Sequence, residues 1–295
     1  MTPSQRKKAI SLAKSLLPED EFEHLMKIDF KDQGLGYDKF GMEKEMIVAS
    51  LAVVRYVYLY YFRVESEGVH NIPEEGRGLI VPNHSGVIPI DGMMIGVDLA
   101  FNMRRPRIIR AMVDNFMGFL PFINVFFARC GQLVGARRNF ADLLEADELI
   151  TVFPEGAKGT GKLYKQRYNL LRFNVGFIEL SLQYRAPIIP AAVIGAEEQA
   201  PMVYNVKPLA RMLGFPYFPV TPFFPLLGPL GGLPMPVKYH LYYGEPMHLY
   251  EDYGPEAIND PNTIRMLADR VQMRVQEMVN KGLDERTSVF GFLEA

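Results

Sequence analysis

Two segments of this sequence carry reactive side chains to the ends of apolar runs. Asn83, His84, Ser85 and Gly86 follow directly on Leu79-Ile80-Val81. That run predicts a strand, and the crevice at a strand end is where an α/β sheet presents reactive groups. Asp91 comes seven positions after His84. On a continuous helix this interval separates two side chains by about 10 Å along the axis, so a direct pair requires the chain to fold back. Gly86 and Pro89 suit such a turn. An imidazole bound by a carboxylate is fixed in one tautomer and is a better base, so the pair reads as a general base with its orienting partner. The alternative is a packed histidine, with Asp91 capping the next helix.

The second segment is Phe153-Pro154-Glu155-Gly156-Ala157-Lys158-Gly159, again placed straight after an apolar run. Glu155 and Lys158 should therefore emerge at the same sheet edge as His84. Gly156, Gly159 and Gly161 would let backbone N–H groups approach an anion, with Lys158 and Lys162 supplying charge. A surface turn with solvated lysines is the plainer reading of this segment alone. A third cluster, Gly131 to Arg138, ends in Arg137 and Arg138 ahead of a predicted helix, and arginine suits bidentate phosphate contact.

These groups need a framework, and the rest of the chain supplies its pattern. The 295 residues, 48% hydrophobic, can bury one large core or one core with a small appendage. From Gly68 onward, short apolar runs alternate with helical stretches. The fold class this predicts is α/β, a mixed and largely parallel sheet flanked by helices. The predicted strands are Leu79–Val81, Ile108–Met112, Leu149–Phe153, Ile188–Ile194 and Val237–Tyr243. Helices are expected at Gly92–Asn102, Asn139–Glu148 and Asn169–Tyr184. A last helix opens at Asp260 and Pro261 and carries Ile264, Leu267, Val271, Val275 and Met278 on one face.

Ahead of the sheet, Thr2 and Pro3 open an amphipathic helix ending before Pro18, and Met42–Phe62 predicts a longer one, together an N-terminal helical hairpin. The chain thus divides into a helical, membrane-facing segment, residues 1–67, and a main domain, residues 68–295. Met46–Phe62 is short for a bilayer span and carries Arg55 at its middle. Met1–Lys14 lacks the continuous apolar centre of an export signal.

Several function classes are excluded or disfavoured. A net charge of -2 gives no reason to expect nucleic acid. Cys130 is the lone cysteine, so it reads as a buried hydrophobe. His24, His70, His84, His240 and His248 show no metal-ligand spacing, and no G-x-S-x-G elbow marks a serine hydrolase.

Residues 208–236 hold eight prolines and four glycines among 29 residues, interleaved with large apolar side chains, nine of them Phe, Tyr or Leu between Phe215 and Leu233, and a single charge, Arg211. Such a stretch is expected to form no regular helix and, if exposed, to leave an unusually large apolar patch that would meet lipid at shallow depth or cover an acyl channel. A buried loop or an oligomer contact is the alternative.

Read together, the three segments resemble the lysophospholipid acyltransferase superfamily, to which the 1-acylglycerol-3-phosphate acyltransferases belong. That family's first motif, Asn-His followed by four residues and Asp, is similar to Asn83, His84 and Asp91. Here Asp91 stands two positions later, with Pro89 where the Asp would fall. The second motif, a Gly followed by a phosphate-contacting Arg, is similar to Gly131 and Arg137. The third, Phe-Pro-Glu-Gly and a basic residue, is similar to Phe153 through Lys158, with Lys158 in place of the more usual Arg. A strand bearing a Pro, Ile188-Ile189-Pro190, resembles the fourth.

The resemblance implies transfer of a fatty acyl group from a thioester, acyl-CoA or acyl carrier protein, to a glycerolipid hydroxyl such as that of lysophosphatidic acid. His84 and Asp91 would be catalytic. Asn83, Arg137, Glu155, Gly156 and Lys158 would bind substrate, with no resident cofactor and no metal. The longer spacing also resembles relatives that act on neutral lipids, with diacylglycerol or a long-chain alcohol as acceptor. A non-catalytic lipid-binding protein on the same fold is the alternative of another class. The expected place is the cytoplasmic face of a membrane, peripheral or monotopic, met through residues 208–236 and, as a second candidate, residues 1–62.

Overall fold

The computed structural model describes residues 1–113 and 122–291. The chain opens with α1 (Pro3–Leu16), α2 (Glu19–Met26) and α3 (Lys44–Tyr56), which runs on into a π-helical turn at Val57–Tyr61. β1 (Glu65–Glu67), β2 (Gly78–Pro82), α4 (Ile90–Asn102) and β3 (Ile109–Val113) follow, then α5 (Ile123–Arg129), β4 (Leu133–Val134), α6 (Arg137–Glu145), β5 (Leu149–Thr151) and α7 (Ala157–Thr160). The second half holds α8 (Gly176–Tyr184), β6 (Ile188–Ile194), α9 (Ala196–Gln199), β7 (Tyr204–Asn205), α10 (Lys207–Leu213), β8 (Pro219–Val220), β9 (His240–Tyr243), α11 (Leu249–Asp252) and α12 (Pro261–Glu285).

Among the described residues, seven strands form one sheet in the order β1-β9-β6-β2-β5-β3-β4. All neighbours are parallel except β6 and β9, so the sheet is mixed and largely parallel, as the alternation predicts. Its central strands explain the continuous apolar runs. Leu79, Ile80 and Val81 are fully buried, yet they face opposite ways, as strand geometry requires. Ile80, Ile189, Ala191 and Val193 join the core formed with α1, α3 and α4. Leu79, Val81, Ile188, Ala192 and Ile194 join the core formed with α6, α8 and α12. The N-terminal helices therefore share a core with the sheet.

The ends of α12 and α1 follow their sequence signals. Asp260 caps α12 by accepting the Asn262 N–H at 3.0 Å, and Thr2 with Gln5 makes a capping box on α1. Ile264, Leu267, Val271, Val275 and Met278 are all buried against the sheet, each such side chain contributing about 1.5–3 kcal/mol. Near the C-terminal end, Gly282 is required by packing: a Cβ there would lie 2.7 Å from the Tyr242 ring and 2.9 Å from Ile194.

Two expectations need correction. The helix expected over Asn169–Tyr184 begins at Gly176, because the N–H groups of Leu170, Leu171 and Phe173 donate to the side chains of Gln276, Glu155 and Gln272. The Pro-rich stretch does contain a helix, α10. Pro208 falls in its first turn, where a missing N–H costs nothing, and Gly214 ends it at φ 72°. Arg55, read as an obstacle to membrane burial, is held by Glu21 at 2.7 Å and lies 4.4 Å from the Phe101 ring centroid.

Candidate active site

His84 leaves the end of β2 and meets Asp91 in the first turn of α4. The chain does fold back: Asp91 Oδ2 lies 2.8 Å from His84 Nδ1. Gly86 makes the turn at φ 77°, and it must be glycine, since a Cβ there would fall 2.4 Å from Gln199 Nε2 and 2.6 Å from the Ala196 carbonyl. Asp91 is fully buried and accepts two further hydrogen bonds, from the Ser85 N–H at 3.1 Å and the Gly92 N–H at 2.8 Å. A buried carboxylate so surrounded is an acceptor, which assigns the imidazole proton to Nδ1 and leaves Nε2 as the basic nitrogen. The His84 ring packs on Phe153 at 4.0 Å between centroids, and its side chain keeps 12% exposure.

Glu155 arrives from the β5 side, as expected, but its carboxylate faces the protein. Oε1 accepts the backbone N–H of His84 at 2.9 Å, and Oε2 accepts the Leu171 N–H at 2.8 Å. Lys162, with 6% exposure, lies 3.2 Å from Glu155 and 3.0 Å from Glu197. Lys162 is thus no free anion ligand; it neutralises two buried carboxylates, and Glu197 anchors the Tyr168 N–H at 3.2 Å. Burial pushes the Glu197 carboxyl above the usual range, with Lys162 opposing. Gly159 closes the arrangement, because a Cβ there would sit 2.9 Å from the His84 carbonyl and 3.0 Å from its Cβ.

The remaining expected site residues divide. Asn83 is buried and spends its amide on the backbone of Val193, donating at 3.0 Å and accepting at 2.7 Å, so it fixes β2 to β6 rather than facing a substrate. Gly156 opens α7 at φ 58° and its N–H donates to the Phe153 carbonyl at 2.9 Å, which removes that N–H as an oxyanion donor. Lys158 is exposed on α7 beside this loop. Arg137, at the start of α6, has its side chain 89% exposed and paired with Glu179 at 2.8 Å.

Two supporting residues escaped sequence reasoning. Gln199, buried after β6, donates to the Ile88 carbonyl at 2.8 Å, accepts from the Tyr239 hydroxyl at 2.7 Å and from the Met235 N–H at 2.7 Å. Tyr217, from the Pro-rich stretch, donates to the Val87 carbonyl at 2.6 Å and packs against Gly161. The available signal was the polar trio Glu197-Glu198-Gln199 directly after an apolar strand, placed at the same edge as the two motifs.

A family model described as Acyltransferase matches residues 63–194, which span His84, Asp91, Arg137 and Glu155. An uncharacterized protein of Mycobacterium tuberculosis is 38% identical over 255 residues, covering 86% of this chain and 71% of that one. The chain belongs to the acyltransferase family. Within it, the motifs place this acyltransferase in the lysophospholipid acyltransferase superfamily. A bovine relative, "DGAT1/2-independent enzyme synthesizing storage lipids", is 28% identical over 224 residues, 74% of this acyltransferase and 59% of that protein. The mouse 1-acyl-sn-glycerol-3-phosphate acyltransferase alpha is 27% identical over 150 residues, half of each chain. The fold of the present chain is similar to that of the crystal structure of the 1-acyl-sn-glycerophosphate acyltransferase PlsC from Thermotoga maritima, with a TM-score of 0.51, 17% identity and coverage of 81% of this chain and 83% of that one.

Proposed function

We propose that this acyltransferase moves a fatty acyl group from a thioester to a hydroxyl of a glycerolipid acceptor such as lysophosphatidic acid, with His84 as general base. The observation that carries the reading is the 2.8 Å contact between His84 Nδ1 and the buried Asp91. Nε2 takes the proton of the acceptor hydroxyl as its oxygen attacks the thioester carbonyl. Collapse of the tetrahedral intermediate forms the ester and expels the thiolate, which takes the proton back from the imidazolium. Asp91 stabilises that imidazolium, and Glu155 acts through His84 by holding its backbone N–H. No serine or cysteine nucleophile is needed.

The enzyme would work at the cytoplasmic face of a membrane. Among the described residues no helix is long and apolar enough to cross a membrane. Leu226, Leu230 and Tyr60 are 84%, 70% and 70% exposed, and the Tyr61 hydroxyl bonds the Pro234 carbonyl at 2.5 Å, joining the Val57–Tyr61 turn to the Pro-rich stretch. One apolar surface built from both segments is suited to shallow insertion.

A neutral acceptor, diacylglycerol or a long-chain alcohol, is the second reading. It is favoured by the engagement of Arg137 with Glu179 and by the storage-lipid relative. The purified protein, given acyl-CoA and each of lysophosphatidate, diacylglycerol and a long-chain alcohol, separates the two. Highest kcat/KM on lysophosphatidate supports the first reading; preference for an uncharged acceptor replaces it with the second; no ester from any acceptor removes both.

A further inference from the structure

Residues 156–178 carry Lys158, Lys162, Lys165, Arg167 and Arg172 and no Asp or Glu, in a chain whose net charge is -2. Lys162 is neutralised between its two carboxylates, whereas the other four cations are exposed. Lys165 and Arg167 do more than decorate a surface, because with Arg286, Asn169 and Asn280 they line an open cavity of about 360 Å³. Arg286 is fixed in its wall: the side chain is 12% exposed and donates to Glu198 at 3.0 Å and to the Tyr168 hydroxyl at 3.3 Å. The Arg167 guanidinium lies 4.5 Å from the Tyr164 ring centroid, and Lys165 has no acceptor among the described residues. Three cations against the one carboxylate of Glu198, with two amide side chains, make a cavity for an anion with several acceptor oxygens, a phosphate. Glu285, on the same helix end, is directed to Tyr242 and Lys281 instead.

The cavity is tied to the reacting centre. Its wall residue Asn169 gives its carbonyl to Lys162 at 3.5 Å, Lys162 pairs with Glu155, and Glu155 holds the His84 N–H. It is thereby linked to the loop that carries the base, and His84 is not among its lining residues. An acyl thioester of coenzyme A has that form, with its phosphates separated from the sulfur by a pantetheine arm. We propose that the cavity bounded by Lys165, Arg167 and Arg286 binds the phosphate groups of the acyl donor, coenzyme A. This deepens the acyl-transfer reading and rests on it for the donor's identity.

The test titrates coenzyme A into the full-length protein at low salt by calorimetry, for wild type and for Lys165→Ala/Arg167→Ala, whose exposed side chains leave the core intact. The expected result is saturable binding that weakens about tenfold in the variant and weakens in wild type as salt is raised. No saturable binding by wild type, or an equal Kd for both proteins, overturns the proposal. In turnover, the ratio of kcat/KM for palmitoyl-CoA to that for phosphate-free S-palmitoyl-N-acetylcysteamine should fall about tenfold in the variant. A rise in the lysophosphatidate KM with that ratio unchanged would assign the cavity to the lipid's phosphate and overturn the donor assignment. Absence of acyl transfer by wild type from every donor would sink the acyl-transfer reading, while the calorimetric titration would still judge the cavity.

Discussion

Asp91 Oδ2 and His84 Nδ1 are 2.8 Å apart across seven positions of sequence. The turn between them is held from outside: Gln199 bonds the Ile88 carbonyl, Tyr217 bonds the Val87 carbonyl, and Gly86 gives the close approach that lets Gln199 in. The longer His-to-Asp interval is accommodated by a loop with its own partners, and the contact it produces is the one the proposed general base requires.

Replacing Asp91 with Asn keeps the shape and removes the charge that fixes the Nδ1–H tautomer. Turnover of Asp91→Asn should fall by about 10²–10⁴-fold at unchanged substrate KM. Steady-state kinetics checks this, with circular dichroism reporting that the fold is retained.

Glu155→Ala would leave the His84 and Leu171 N–H groups without their acceptor and the buried Lys162 with Glu197 as its one remaining carboxylate partner. Removing one partner of a buried ion pair costs about 3–5 kcal/mol, so the denaturant midpoint should drop accordingly. A variant as stable as wild type would show that the buried cluster of Glu155, Lys162 and Glu197 does not hold the loop.

Leu226→Asp with Leu230→Asp should abolish most vesicle binding without changing thermal stability, because both side chains are largely exposed. Fully burying one leucine contributes about 1.5–3 kcal/mol, so even partial insertion of two predicts at least roughly a tenfold loss in partitioning onto phospholipid vesicles, measured by sedimentation.

Asp260 has its carboxyl held below the usual range, first by the Thr263 hydroxyl and then by the Asn262 N–H. A depressed folded-state pKa contributes stability above the unfolded carboxylate range, lost as pH falls through the folded value. Wild type should therefore lose this cap's contribution on acidification below about pH 4, and Asp260→Asn should flatten that part of the Tm profile.

The sequence was most informative where a residue's neighbours impose its environment. His84 and Asp91 could be paired because an apolar strand, a glycine and a proline together demand a turn at a sheet edge. The location of Glu155 was legible by the same logic, but its direction was not. A carboxylate at a strand end can face a ligand or the protein, and the partner that turns it inward, Lys162, reads in sequence as a solvated cation. Asn83 misled for a related reason, since a side-chain amide satisfies a neighbouring strand's backbone as readily as a substrate. β1, with Glu65-Ser66-Glu67, has no apolar pattern to mark it and exists through its pairing with β9. The helix of the Pro-rich stretch was hidden because proline in a first turn is permissive, not disruptive.

The central claim is that the His84 imidazole accepts the hydroxyl proton. Initial rates of ester formation from acyl-CoA and lysophosphatidate, measured for wild type and His84→Gln at matched folded concentration, test it most directly. The account predicts a loss of at least about 10²-fold in kcat with the unfolding temperature nearly unchanged; turnover within a few fold of wild type would contradict it.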